Sequence, residues 1–281
     1  MKTWKKIVLG VSLISLFLGG GLVAWGYSQG GLTDLQNKTI SEQDYVKKEV
    51  KDFNKIDIKS SSYNVLIKNG DVDKATLSYY QKTKNPIDTS VKDGQLTIND
   101  NNSELDSTSN KHINFFGLKD LVRLSTLNKE VRNKTIVITL PKKQTIDFLK
   151  VDLATGNLDL SNSTIKQADI NLNVGDLTFT KMIVSNLKAN LDVGSVDSNH
   201  TLFTNSDLSI AMGDYSGDNL IFNGHNKLDV TSGDIEIALK DYTLNVQADS
   251  HSGEVDITNN LKISKDNTLT ITSDLGDITI E

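Results

Sequence analysis

The chain has 281 residues, no cysteine, 6% aromatic residues and a formal net charge of −6. Without cysteine it has no disulfide framework and no thiolate metal site. Only two of its basic residues are arginines, and an acidic, arginine-poor chain does not bind nucleic acid through phosphate neutralisation.

The N-terminus combines a short basic leader with an apolar run. Residues 1–6 carry three lysines, and residues 7–25 contain no charge. Nineteen residues rising about 1.5 Å each span about 28 Å, close to the hydrocarbon thickness of a bilayer. Trp4 and Trp25 flank the run as interfacial aromatics. We therefore expect a single-pass signal anchor in the cell membrane, with a cytoplasmic N-terminus and an extracellular C-terminal domain. The alternative is a cleaved signal peptide.

The next segment, residues 26–52, is polar and is predicted to be a stalk, with a mild helical pattern over residues 42–50. From residue 53 the pattern changes to short alternating strands separated by turns at Asn69-Gly70 and Asp93-Gly94. Residues 53–149 therefore form the irregular N-terminal part of a strand-rich domain, either as degenerate repeats or as a capping sheet.

An insertion at residues 100–130 interrupts this part. Its first residues are polar, whereas residues 112–124 contain apolar side chains that can share one face of a short helix. One interpretation is a partner-docking patch, with the candidates Phe115, Phe116, Leu118 and Val122. The other is an insertion whose apolar face covers an end or side of the domain.

Residues 150–281 contain a regular repeat. Its glycines are nineteen or twenty residues apart, with a last gap of twenty-three, at Gly156, Gly175, Gly194, Gly213, Gly233, Gly253 and Gly276. Apolar residues alternate with polar ones on both sides of each glycine, which is the pattern of a half-buried strand. One such unit cannot bury its apolar face alone, but stacked copies can. The sequence predicts an all-β domain built as a β-solenoid, with a twisted β-sandwich as the alternative.

The corners of the repeat are predicted from the glycines and the residues that follow them. Each glycine is followed by Asn, Asp, Ser or Glu, which indicates a tight corner that needs positive φ or close backbone approach. The acidic residues at these positions also suggest calcium. However, calcium-binding β-rolls use a nine-residue repeat with several glycines, so turn formation is the simpler interpretation.

Residues 50–281 resemble a known family. The likeness rests on the membrane span, the strands Phe53-Asn-Lys-Ile-Asp-Ile58 and Val91-Lys-Asp-Gly94-Gln-Leu-Thr-Ile98, the Leu140-Pro141 step and the serial Gly-Asp-Leu/Ile units. These resemble the putative-adhesin β-strand-repeat family of Gram-positive surface proteins, a domain of unknown function. The resemblance implies a surface-displayed β-repeat domain, sometimes associated with envelope-stress systems, and it carries over no catalytic residue.

The chain shows none of the common catalytic or cofactor motifs, including hydrolase elbows, zinc-protease helices, phosphate loops and dinucleotide fingerprints. His200, His225 and His251 recur at unlike distances from the glycines, which favours ordinary surface histidines over a metal column. We therefore predict a non-catalytic, cofactor-free, membrane-anchored interaction module that binds an envelope protein or wall polymer. The alternative is an accessory protein of an envelope-stress response that acts through a membrane partner.

Overall fold

The computed structural model describes residues 43–82, 86–100, 134–258 and 260–281. Residues Asp44–Glu281 form one compact unit with a continuous apolar core. Secondary structure in the described residues consists of twenty-five strands: β1 (Gln43–Glu49), β2 (Lys55–Ser60), β3 (Asn64–Gly70), β4 (Thr76–Lys82), β5 (Asp88–Lys92), β6 (Gln95–Asn99), β7 (Thr135–Pro141), β8 (Thr145–Ile146), β9 (Phe148–Leu153), β10 (Leu158–Ser161), β11 (Thr164–Ile165), β12 (Ala168–Val174), β13 (Leu177–Thr180), β14 (Ile183–Ser185), β15 (Leu187–Val193), β16 (Val196–Asn199), β17 (Leu202–Thr204), β18 (Asp207–Met212), β19 (Tyr215–Asn223), β20 (His225–Ser232), β21 (Ile235–Leu239), β22 (Asn245–Ser252), β23 (Val255–Ile257), β24 (Thr268–Leu275) and β25 (Ile278–Ile280).

The regular turns of the fold have three sides. In one such turn β12 runs up to Gly175, β13 follows the glycine, and the short β14 closes the turn. Each strand pairs in parallel with its equivalent in the next turn, so Leu177 lies opposite Val196, nineteen residues later. A sandwich would place consecutive strands in antiparallel pairs instead. The predicted β-solenoid is therefore confirmed, and the sandwich alternative is wrong.

Three faces result from this stacking, and we name them by their place in the turn. Face 1 contains the strands before the corner glycines, in the order β5, β6, β2, β9, β12, β15, β18, β20, β24, β22. Face 2 contains the strands after the glycines, in the order β1, β4, β7, β3, β10, β13, β16, β19, β21, β25, β23. Face 3 contains β8, β11, β14, β17 and the second half of β19.

Because side chains alternate along each strand, every second position points inward, and equivalent inward positions of successive turns form an apolar column. The column through Leu177 is almost fully buried, and it consists of Val65, Leu158, Leu177, Val196, Tyr215, Ile235 and Ile278. Each such side chain contributes roughly 1.5–3 kcal/mol through burial. The stack is stable because every turn covers the apolar face of its neighbour.

Large and small side chains compensate inside the stack. The ring of Phe203 lies edge-on to Phe179, with centroids 5.3 Å apart, and it stacks on Phe222 at 5.8 Å. The small residues Ser198 and Gly217 occupy the positions that pair with Phe179 along its own column. The space beside Gly217 is filled by Leu220, whose Cδ1 would lie 2.4 Å from a Cβ at position 217, so the interior stays close-packed.

The order of the turns in space differs from their order in the sequence at both ends. Near the N-terminus, β2 and β3 lie between the turn of β9 and β10 and the turn of β6 and β7. Near the C-terminus, β24 and β25 lie between the turn of β20 and β21 and the turn of β22 and β23. The turn of β22 and β23 is therefore the terminal turn of the stack.

The N-terminal part combines both architectures that the sequence suggested. β2, β3, β6 and β7 are parallel turns of the solenoid, whereas β4 and β5 pair antiparallel with β7 and β6. The β5–β6 hairpin turns through Asp93 and Gly94, both with positive φ, as the sequence indicated. The helix suggested over residues 42–50 is wrong, because residues Gln43–Glu49 form the outermost strand β1, which pairs with β4.

We expect the substitution Ser273→Val to raise the free energy of unfolding by about 1 kcal/mol, because its buried hydroxyl has no hydrogen-bond partner among the described residues. Ser273 follows Leu191, Ile210 and Val230 in one inward column. Ser250, next in that column, is the matched control, since its Oγ donates a 2.8 Å hydrogen bond to the Gly276 carbonyl. Urea unfolding of residues 44–281 measures the free energy of unfolding of the Ser273→Val and Ser250→Val proteins. A destabilised Ser273→Val protein alongside a stabilised Ser250→Val protein would contradict the packing described here.

Candidate interaction surfaces

The predicted docking residues lie outside the part of the chain that the structure describes. Phe115, Phe116, Leu118 and Val122 belong to residues 101–133, so their role stays a prediction. Asp100 and Lys134, the described residues on either side of this segment, are hydrogen-bonded to the turn of β2 and β3. The buried carboxylate of Asp100 accepts hydrogen bonds of 3.1 Å from Ser60 Oγ and Ser61 Oγ, and the Lys134 carbonyl accepts one from Asn64 N. The segment therefore starts and ends at the corner between β6 and β7.

The glycine corners carry a ladder of side-chain hydrogen bonds. At each turn the residue after the glycine donates its backbone N–H to the side-chain oxygen of the equivalent residue one turn away. Seven such bonds, of 2.8–3.3 Å, connect Asn64, Asn157, Asp176, Ser195, Asp214, Asp234, Asp277 and Glu254. Every member except Glu254 uses a side-chain oxygen as an acceptor, which explains why Asn, Asp and Ser recur there. The predicted turn-forming role of these residues is confirmed.

Face 2 is strongly acidic on its outer side. The seven segments of this face from residue 157 to the C-terminus contain no lysine, arginine or histidine. They carry eleven acidic residues: Asp159, Asp176, Asp197, Asp214, Asp218, Asp234, Glu236, Glu254, Asp256, Asp277 and Glu281. Like charges this close repel one another, which destabilises the folded domain. A basic partner bound to this face would relieve the repulsion.

The spacing of these acids limits their repulsion. In the middle column of face 2, acids alternate with hydroxyl residues from turn to turn, in the order Asp159, Thr178, Asp197, Ser216 and Glu236. In the first turns the corner ladder alternates in the opposite phase. Burial raises the pKa of Asp159; a hydrogen bond from Thr178 opposes this rise, and the charge of Asp176 adds to it. The charge of Asp176 therefore acts on Asp159 in the neighbouring turn.

Face 1 carries both signs of charge, with six lysines and nine aspartates in its ten strands. One outward column alternates in sign from turn to turn through Asp57, Lys150, Asp169, Lys188, Asp207 and Lys227. Lys227 also contacts Asp229 on its own strand, and the hydrogen bond and charge of that carboxylate raise the Lys227 pKa. The two faces therefore differ in charge: face 1 carries both signs, whereas the seven segments of face 2 from residue 157 on carry acidic residues only. The sequence contained this signal, because the alternation appears when residues nineteen or twenty apart are compared.

An exposed apolar ridge runs along the edge between these two faces. It consists of four of the seven residues that directly precede the corner glycines: Val174, Val193, Met212 and Leu275. Ser232 lies between the last two, and Ser252 follows Leu275 at the end of the stack. The side chains of Met212 and Leu275 are 59% and 56% exposed. Large apolar side chains aligned on a protein surface are typical of contact sites.

A shallow groove of about 480 Å³ lies on face 2 near the N-terminal end. Tyr45, Tyr80 and Thr135 border it, and Leu66 and Val137 contribute apolar surface. The rings of Tyr45 and Tyr80 are 4.9 Å apart between centroids. The groove contains no charged side chain, which separates it chemically from the acidic part of the same face.

The three histidines within the described ranges, His200, His225 and His251, do not form a column, and His251 lies in β22. His200 lies at the corner between faces 2 and 3, where its Nδ1 is 2.6 Å from Asn199 Oδ1. His225 begins β20 at the next corner, where its Nδ1 is 3.0 Å from Thr268 Oγ1. Within the described ranges no group of three or more histidine or carboxylate side chains is arranged to hold a metal ion.

Comparison with known proteins identifies the family. The profile of the Toastrack DUF4097 family matches residues 53–281. The chain belongs to this family, a domain of unknown function. The expected resemblance to a β-repeat family is therefore confirmed, whereas its restriction to Gram-positive bacteria stays a prediction. No curated protein sequence matches this chain significantly.

Three solved structures illustrate the structural likeness. A putative cell adhesion protein from Clostridium sporogenes is 15% identical, with 85% of this chain and 99% of that chain covered and a TM-score of 0.32. A putative adhesin from Bacteroides fragilis is 15% identical, with 86% and 98% covered and a TM-score of 0.36. A putative lipid binding protein from Parabacteroides distasonis is 11% identical, with 85% and 97% covered and a TM-score of 0.34.

Proposed function

We propose that this Toastrack domain is a non-catalytic interaction module of the cell envelope that binds a basic protein or wall polymer through face 2. The observation that carries this proposal is the acidic surface of seven strand segments without a basic residue, beside a face 1 on which lysines alternate with aspartates along one column. An acidic surface attracts a basic partner over about a Debye length, roughly 8 Å at physiological ionic strength. The apolar ridge at its edge supplies area that a bound partner can bury.

The proposal includes display outside the membrane by the anchor predicted at residues 7–25. Those residues lie outside the described ranges, and no helix within the described ranges is long and apolar enough to cross a membrane. Support comes from the sequence, in which three lysines precede an uncharged run of nineteen residues.

A pull-down with residues 28–281 against solubilised envelope proteins and purified wall polymers tests the proposal. The face 2 variant carries Asp197→Asn, Asp214→Asn and Glu236→Gln, all exposed positions where the amide keeps the shape of the acid. The matched control carries the same charge change on face 1 and its edge, at Asp169, Asp192 and Asp207. We expect the face 2 variant alone to lose its partner. Equal retention by both variants would remove face 2 as the contact surface.

The same experiment separates the regulatory alternative. A third protein carries Phe115→Ser and Phe116→Ser, in the segment whose ends are fixed at Asp100 and Lys134. If only this protein loses a membrane-protein partner, residues 112–124 form the docking site, and an accessory role in an envelope-stress response replaces the adhesin-like role. If it binds as the unmodified protein does, the contact lies on the repeats.

A further inference from the structure

The terminal turn at the C-terminal end of the solenoid has open strand edges. β22 pairs only with β24, and β23 pairs only with β25, so within the described residues no strand lies on their other side. Val255 in β23 is 41% exposed, whereas its equivalent Ile278, one turn further in, is fully buried. The last turn therefore presents both unpaired backbone groups and apolar surface.

The two ends of the stack differ in how their edges are protected. At the N-terminal end, the outermost strands carry lysines that oppose edge-to-edge pairing: Lys47 and Lys48 in β1, and Lys92 in β5. The edge strands β22 and β23 contain no lysine, arginine or proline. Folded proteins often block exposed edges with lysine or proline, so the C-terminal edge lacks these two protections against strand addition.

The backbone of β22 fixes which groups face outward. Asn245 N donates a 3.0 Å hydrogen bond to the Asn267 carbonyl, which orients the amide and carbonyl of Asn245 toward β24. In a strand these groups alternate between its two edges, so those of Val246, Ala248 and Ser250 face the open side. These three residues, whose backbone groups face the open edge, fit an antiparallel pairing centred on Ala248. In that pairing Val246 lies opposite Ser250 of the partner strand.

The side chains of β22 are complementary in this same register. Gln247 and Asp249 project outward from face 1, and both are exposed. Pairing about Ala248 places Gln247 of one strand opposite Asp249 of the other, twice across the two-fold axis. An amide N–H donor then meets a carboxylate acceptor, and the carboxylates of the two strands avoid each other. The small side chain of Ala248 lies at the axis, where two copies of a larger residue would collide.

From these observations we propose that the partner of the open C-terminal edge is a second copy of this chain, and that β22 pairs with β22 of that copy in an antiparallel register centred on Ala248. The contact is isologous, so it closes after two chains. It uses the end of the solenoid and leaves face 2 unobstructed along its length. It is therefore independent of the partner proposed for face 2.

Sedimentation of residues 44–281 over a concentration series tests the proposal with two variants at one position. We expect a monomer–dimer equilibrium for the unmodified chain. The substitution Gln247→Glu should weaken the dimer about fivefold, because like charges then face each other twice. The substitution Gln247→Lys should tighten it by a similar factor through two ion pairs with Asp249. Both variants should show the same thermal midpoint in dilute solution, since the side chain is exposed.

Three outcomes would overturn the proposal. A chain that sediments as a monomer at every concentration would show that the edge does not pair with itself. Equal weakening by both substitutions would show edge contact without this register, because any charge would then interfere. Growth beyond two chains would indicate head-to-tail addition of the C-terminal edge to β1 or β5 of another copy.

Discussion

Replacing Leu177 with aspartate is expected to lower the free energy of unfolding of residues 44–281 by at least about 4 kcal/mol, a large part of a typical domain's total stability. Leu177 is fully buried between Leu158 and Val196. The substitution removes an apolar side chain and places a carboxylate where nothing pairs with it, and an unpaired buried charge is strongly destabilising. Urea denaturation followed by circular dichroism measures the change.

Two controls separate burial from the added or removed charge. Thr180→Asp introduces the same carboxylate at the outward end of the same strand, between Ser161 and Asn199, and should cost less than about 1 kcal/mol. Asp176→Asn should be nearly silent, because an asparagine Oδ1 can accept the Ser195 N–H at 3.0 Å as the aspartate does. An unchanged unfolding transition for Leu177→Asp would mean that the strand register is wrong.

The repeat itself could be read from the sequence because its physical causes are local. Glycine at a fixed period marks a corner, and alternation around it marks strands with one buried side. The choice between solenoid and sandwich was not local, since both bury one side of each strand. That choice depends on which strands pair, and Leu177 opposite Val196 in parallel decides it.

The order of turns at the C-terminal end could not be predicted by following the chain. Sequence order places the turn of Gly253 before that of Gly276, yet Gly276 stacks directly on Gly233. Side-chain size accounts for the exchange. The inward residues Leu269 and Ile271 of β24 are larger than Val246 and Ala248 of β22, so β24 buries more apolar area against β20. The turn with the smaller apolar side chains is left at the end.

The candidate surfaces, like the fold, were only partly predictable from the sequence. The corner acids were visible in the sequence because each follows a glycine, and their ladder follows from that position. The second acidic column, through Asp159, Asp197 and Glu236, was missed because no landmark residue adjoins it. Comparison of positions one period apart would have revealed it. The docking residues Phe115, Phe116, Leu118 and Val122 belong to no repeat, so periodicity offers no test of them.

Replacing Gly194 with alanine is expected to lower the free energy of unfolding by about 3–5 kcal/mol, which is more than loss of one turn's hydrogen bond would cause. A Cβ at this position would lie 2.0 Å from the carbonyl oxygen and 2.6 Å from the carbonyl carbon of Gly175. The obstructing atoms are backbone, so no side-chain rotation relieves the overlap. The φ of 148° is also unfavourable for any residue with a Cβ.

The consequence should be a local separation of two turns before the whole stack unfolds. Gly194 N donates to the Met212 carbonyl and Gly175 N to the Val193 carbonyl, so a displaced corner weakens bonds on both sides. In the variant, amide hydrogen exchange at positions 175 and 194 should accelerate more than exchange in β2 and β3. Ser195→Ala is the matched control, because it removes only the 3.3 Å acceptor of Asp214 N and should cost about 1 kcal/mol or less. Equal destabilisation by the two substitutions would show that the corner has room for a side chain, and close glycine-to-glycine stacking would then not be what sets the spacing of the turns.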